Sequence, residues 1–267
     1  MDAIVLMALI ATLGTWLVTA LGAATVVFFK SPNPRALNLM LGFASGVMIA
    51  ASFWSLLQPA IARAEAMSGL PAYLVATAGF LLGAIFMWAS DKVVTFTQRR
   101  VSSTGESQNM RIGRIMMLIL SITLHNIPEG LAVGVAFGAL QKSGFTTEGF
   151  MGAVTIAIGI GLQNFPEGAA VSVPLRREGY SRKKSFLCGQ ASGMVEPIAG
   201  VIGALLVVYV ETILPWALAF AAGAMILVAV HELIPECQKN KEAQPYFATM
   251  GIVLGFAVMM LLDVMLG

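Results

Sequence analysis

The sequence predicts an all-α integral membrane protein of eight transmembrane helices with both termini extracytoplasmic. Three observations carry this reading. Hydrophobic residues make up 58% of the chain and charged residues only 11%, with a mean hydropathy of +0.83, whereas soluble domains carry about 25% charged residues. Apolar stretches that can cross a hydrocarbon core, roughly 20 residues at 1.5 Å rise, recur along the whole length. The cations, finally, gather in alternate connections.

The stretches run over 3–29, 36–62, 71–91, 114–140, 150–174, 186–210, 212–235 and 246–266, which leaves 1–267 as a single transmembrane domain. The first follows Met1-Asp2 with no basic region before it and is too long for a signal-peptide core, so it is expected to stay in the mature protein. One set of connections holds Lys30 and Arg35, then Lys92, Arg99, Arg100, Arg111 and Arg114, then Arg176 to Lys184, then Lys239 and Lys241. The opposite set holds only Arg63 and Lys142. Cytoplasmic loops keep Lys and Arg, so the basic connections are expected inside, and an odd number of spans would scramble the pattern. Asp2, Glu65, Glu148, Glu211 and Asp263 then fall on the outer side and read as solvated surface. The segment over 97–112, rich in Ser, Gln, Asn and Arg, is expected to be a flexible cytoplasmic loop.

The net charge of +2 reports this topology and gives no sign of nucleic-acid binding. Cys188 and Cys237 are the only cysteines and read as isolated reduced thiols. Glycines four apart, at 42 and 46, 79 and 83, 130 and 134, and 189 and 193, are expected to let helices approach closely in lipid.

The fourth and fifth stretches carry one motif twice: His125-Asn126-Ile127-Pro128-Glu129-Gly130 and Gln163-Asn164-Phe165-Pro166-Glu167-Gly168. In each copy the first residue and the Glu are four apart, hence on one helix face. Each Pro removes a helical hydrogen bond and frees the carbonyl four residues back, Leu124 or Leu162. The sixth stretch adds Glu196-Pro197. Ionisable groups inside a membrane are costly and persist where they pair, face a cavity or bind something. Three carboxylates, an imidazole and amides are expected to converge on one small volume, where a divalent cation would balance them. Mixed nitrogen and oxygen donors without a thiolate suit Zn²⁺ and other first-row divalent ions. His231-Glu232-Leu233-Ile234-Pro235-Glu236 opens like the zinc-protease pattern H-E-x-x-H, but Pro235 stands where the second His would be. His231, Glu232 and Glu236 are read as a cytoplasmic exit site for the metal.

These motifs resemble those of the ZIP (Zrt/Irt-like) family of divalent metal transporters, particularly its GufA-like bacterial branch. The resemblance covers nearly the whole chain. It implies a metal site formed by His125, Glu129, Gln163 and Glu167 with Glu196 adjoining. Asn126 and Asn164 match positions that in some relatives help form a second site, and Asn164 in place of Asp favours one ion over two. Met48 and Ser55 match positions that approach the site. The implied function is transport of divalent cations, zinc foremost and also Cd²⁺, Fe²⁺, Mn²⁺ or Co²⁺, into the cytoplasm across the cell (inner) membrane, with no enzymatic activity. The metal is the substrate, the lipid bilayer is the other partner, and a homodimer is allowed for. Two alternatives stand beside it: an intramembrane metal-dependent hydrolase, and a proton-coupled carrier of an organic solute.

Overall fold

The computed structural model describes residues 3–28, 33–67, 69–102, 107–143, 145–177, 179–238 and 245–266, without the side chains at 97–102, 107–122, 142, 143, 177, 209, 211 and 245. All regular structure among the described residues is helical. Eight helices follow one another: α1 Ala3–Phe28, α2 Pro34–Ala66, α3 Ala72–Ser102, α4 Ser107–Ser143, α5 Thr147–Arg177, α6 Arg182–Val208, α7 Leu214–Gln238 and α8 Pro245–Leu266. Among the described residues, seven helices, all of these except α4, are long and apolar enough to cross a membrane.

Local chemistry sets several ends. Asn33 caps α2, its side-chain oxygen accepting from the Arg35 amide at 2.9 Å, with Pro34 in the first turn, where its missing N–H costs nothing. Ser181 caps α6 by accepting from the Lys184 amide. Of the expected loop over 97–112, residues 97–102 continue α3 and 107–112 open α4. Residues 103–106 lie outside the described residues, as do Asp2, Lys30, Lys239 and Lys241.

Proline shapes the interior of four spans. α4 and α5 remain helical through Pro128 and Pro166. α2 widens into a π-turn at Ser52–Leu57 just ahead of Pro59, and α7 does so at Ala229–Leu233 ahead of Pro235. A widened turn relieves the clash between a proline ring and the carbonyl four residues earlier. In α6 the same clash, between Pro197 and Gly193, breaks the helix at Gly193–Met194, and Glu196 falls in the first turn of the second segment.

Glycines join the helices in pairs, which fall into two bundles, one of α1, α4, α5 and α6 and one of α2, α3, α7 and α8. A Cβ on Gly22 would stand 1.9 Å from Phe165 O, one on Gly168 2.0 Å from Thr19 O, and one on Gly134 2.0 Å from Gly200 O. Backbone-to-backbone contact thus joins α1 to α5 and α4 to α6. Likewise a Cβ on Gly46 would collide with Ile252 O and one on Gly83 with Phe220 O, so α2 is joined to α8 and α3 to α7. Among the described glycines, none makes such a backbone contact between the two bundles. Across that seam a Cβ on Gly159 of α5 would collide with the flexible end of the Met259 side chain in α8. The core of buried apolar residues, including Val47, Met48, Leu56, Val133, Ile160, Met225 and Met259, fills the space where the bundles face each other.

Candidate metal site

Both copies of the repeated motif lie inside the bundle of α1, α4, α5 and α6, and the glycine closing each copy is a contact point. A Cβ on Gly130 would stand 2.5 Å from Glu196 O, and Gly168 touches Thr19. Packing at these glycines sets the preceding acids, Glu129 and Glu167, against the neighbouring helices. His125, Asn126, Glu129, Gln163, Asn164, Glu167 and Glu196 are all buried.

The expected convergence of three carboxylates and an imidazole is resolved into pairs. Gln163 Nε2 donates to Glu129 Oε1 at 2.6 Å. Asn164 Nδ2 lies 2.9 Å from both oxygens of Glu196, and Asn126 Nδ2 donates to Ser192 O at 2.8 Å. His125 Nε2 stands 2.6 Å from Glu232 Oε1, bridging α4 to the π-turn of α7 across the seam. Glu167 is within electrostatic reach of Glu129, Glu196 and Glu232. Among the described residues no three His, Cys, Asp or Glu side chains are gathered tightly enough to hold an ion by themselves. A cation here would need the amides.

The amides have the capacity. Asn126 Oδ1, Glu129 Oε2, Gln163 Oε1 and Asn164 Oδ1 are buried and lack a hydrogen-bond partner. All four are acceptors and all four sit on the repeated motif. Leaving a buried acceptor unsatisfied costs about 1–3 kcal/mol, and a positively charged partner would relieve that cost at all four. Carboxylate, amide oxygen and imidazole form a hard-to-borderline donor set that suits divalent ions.

The remaining expected residues lie apart. Ser55 Oγ donates to Asp263 Oδ1 at 2.6 Å, beside a cavity of about 570 Å³ lined by Gln58, Arg63, Leu140, Gly149 and Leu214. That places it at the ends of α2 and α4 and the starts of α5 and α7. Asp263 is therefore half-buried, not the solvated surface acid that its place near the C-terminus indicates, and its Oδ2 lacks a donor. Met48 is fully buried in the core between the bundles. The three exit-site residues separate: Glu232 joins His125, His231 turns outward with its Nε2 3.9 Å from Asp91 of α3, and Glu236 is exposed. Two residues outside the expected set belong near the site: Thr15 and Thr19 contact Glu196 from α1. Threonines three and four apart at 12, 15 and 19 were the available signal for both.

The family profile described as ZIP Zinc transporter matches residues 97–263. The chain is 41% identical to Zinc transporter ZIP11 of Homo sapiens, over 98% of each chain. It is 34% identical to Zinc transporter GufA of Myxococcus xanthus, over 97% of this chain and 98% of that one. It is also 34% identical to Zinc transporter ZIPB of Bordetella bronchiseptica, over 93% of this chain and 78% of that one. With the family profile matched over residues 97–263 and such likeness along nearly the whole length, the chain belongs to the ZIP family.

Proposed function

We propose that this protein carries divalent metal cations, zinc foremost, across the cell (inner) membrane into the cytoplasm. The single observation that carries the reading is the set of four buried, donorless oxygens on the repeated motif. Glu129 and Glu167 supply charge, His125 supplies nitrogen, and the amide oxygens of Asn126, Gln163 and Asn164 complete the shell as the ion sheds its water. Cd²⁺, Fe²⁺, Mn²⁺ and Co²⁺ fit the same donors and are carried as lesser substrates.

In this reading α4 is the eighth span, both termini are outside, and the cavity beside Ser55 and Asp263 is the outer mouth. The cytoplasmic way out passes the His125–Glu232 pair and then His231 and Asp91. Alternating access follows from the seam: glycine backbone contacts join helices in pairs inside each bundle, while across the seam the glycine contacts are to side chains such as Met259, so one bundle can move against the other. A homodimer is compatible with this arrangement.

The test is zinc uptake into proteoliposomes. Glu129→Ala and Glu167→Ala chains are each expected to lose most of the flux, and wild-type rates in either would sink the reading.

A further inference from the structure

A groove of about 910 Å³ runs along the seam between the bundles. α5 lines it from Val154 to Pro166, α1 adds residues from the same bundle, and α2 and α8 line it from the other. Ile158, Leu162 and Leu254 in this lining are exposed, so the groove opens to whatever surrounds the spans. Thr15 carries the one polar side chain of the lining, and its hydroxyl is bonded to Glu196. Water needs two to four polar partners to stay in a cavity and finds none here, so hydrocarbon is the fitting content. Twelve residues of α5 rise about 18 Å, a little more than half of the roughly 30 Å hydrocarbon core, which is the depth one acyl chain spans from its own leaflet.

Two glycines keep the groove wide. A Cβ on Gly14 would meet nothing within 4 Å, and one on Gly161 would meet only Val18 Cγ2 at 3.9 Å. Unlike Gly22 or Gly168, these two press against no neighbouring backbone. One end of the groove carries charge. Arg35 and Leu39 lie one turn apart on one face of α2, as do Phe247 and Gly251 on α8, and Leu39 and Gly251 line the groove. The Arg35 guanidinium carbon stands over the Phe247 ring, 5.9 Å from its centre, and Arg35 is exposed. Stacking on a ring leaves the N–H edge of a guanidinium free to hold a phosphate.

We propose that the seam is a phospholipid site, in which Arg35 binds the phosphate of an anionic lipid and the groove seats one of its acyl chains. A second copy of the chain fits less well: a two-fold contact through this groove would set the two Arg35 side chains at the same depth, like charge towards like. The chain of the lipid touches both bundles, so it sits between the parts that move in the transport reading above. The proposal goes beyond that reading and rests on it only for the side of the membrane, where Arg35 faces the cytoplasmic leaflet.

The test reconstitutes the full-length protein with phosphatidylglycerol carrying a diazirine in one acyl chain, and maps the adducts by mass spectrometry after illumination. Labelling of Ile158, Leu162 and Leu254 is expected to exceed that of Leu82 and Ile85, exposed on α3, several-fold. Arg35→Gln is expected to lower the excess to that given by the matching phosphatidylcholine probe. Gly14→Leu and Gly161→Val, which fill the groove, are each expected to abolish it and leave α3 labelled as before. Equal labelling of groove and α3, equal labelling of the wild type by the two probes, or efficient disulfide trapping of two copies through Ile158→Cys would each overturn the proposal and leave zinc transport standing. Wild-type vesicles that take up no zinc would instead overturn the transport reading and leave the lipid site standing. The comparison on the wild type decides even where a variant fails to fold.

Discussion

Gln163 donates its side-chain amide to one oxygen of Glu129 across 2.6 Å, and the contact leaves the other oxygen of Glu129 and the oxygen of Gln163 both without a donor. The two helices of the repeat are thereby tied to each other while their acceptors stay in reserve. In the absence of metal this arrangement is costly, since buried polar atoms are normally paired.

Replacing Glu129 by Gln should accordingly raise the thermal midpoint of the metal-free protein while removing the stabilisation that zinc confers on the wild type. A ligand at about 100 times its Kd contributes about 2.7 kcal/mol, so wild type with and without zinc should differ by several degrees. Thermal unfolding in detergent, with zinc and with a chelator, measures both effects. An equal zinc-induced shift in the variant would contradict the assignment of Glu129 as a ligand.

Zinc affinity should fall as pH falls. The ligands bind metal only when deprotonated, so the competing proton gains ground as pH falls. Zinc titrations at pH 7.5 and 5 should differ by about tenfold or more, weaker at the lower pH. His125→Ala should bind more weakly at both.

Two glycine substitutions should separate folding from movement. At Gly134 an added methyl meets the Gly200 carbonyl, which cannot retreat, and at Gly159 it meets the mobile end of Met259. Overpacking costs about 1–3 kcal/mol where neighbours cannot yield. Gly134→Ala should therefore lower the yield of monodisperse protein. Gly159→Ala should fold but transport several-fold more slowly, with Met259→Ala restoring the rate.

Asp263→Asn changes the carboxyl beside the Ser55 cavity, proposed above as the outer mouth, without touching the motif. Initial uptake rates over a range of zinc concentrations should show a raised KM and a maximal rate close to wild type. A fall confined to the maximal rate would remove Asp263 from the capture step.

The spans, the repeat and the close-packing glycines at 42, 46, 79, 83, 130 and 134 were legible because each is a local signal: hydropathy over 20 residues, a motif written twice, small residues four apart. The pairings were less so. Glu232 looks like a neighbour of His231, but the π-turn ahead of Pro235 sends one to His125 and the other towards Asp91, and only tertiary packing brings α4 beside α7. The sequence shows the acid at Glu196 without showing the hydroxyls of α1 that meet it. The segment over 97–112 reads as loop from its polarity, yet Arg, Gln and Ser are compatible with helix once α3 and α4 extend beyond the apolar core.

The glycine contacts also set an order of assembly. Because α1 pairs with α5 while α2 pairs with α8, neither bundle can close early: Gly42 waits for Ala248, and Gly22 waits for Phe165. Membrane helices can insert singly and associate afterwards, and here α8, made after α1 to α7, completes the α2 contact. A chain cut short before residue 245 would insert its earlier helices normally yet leave the glycine face of α2 bare. Such a product would be recognised as unfinished by whatever surveys the membrane for unpaired helices, however complete its metal ligands.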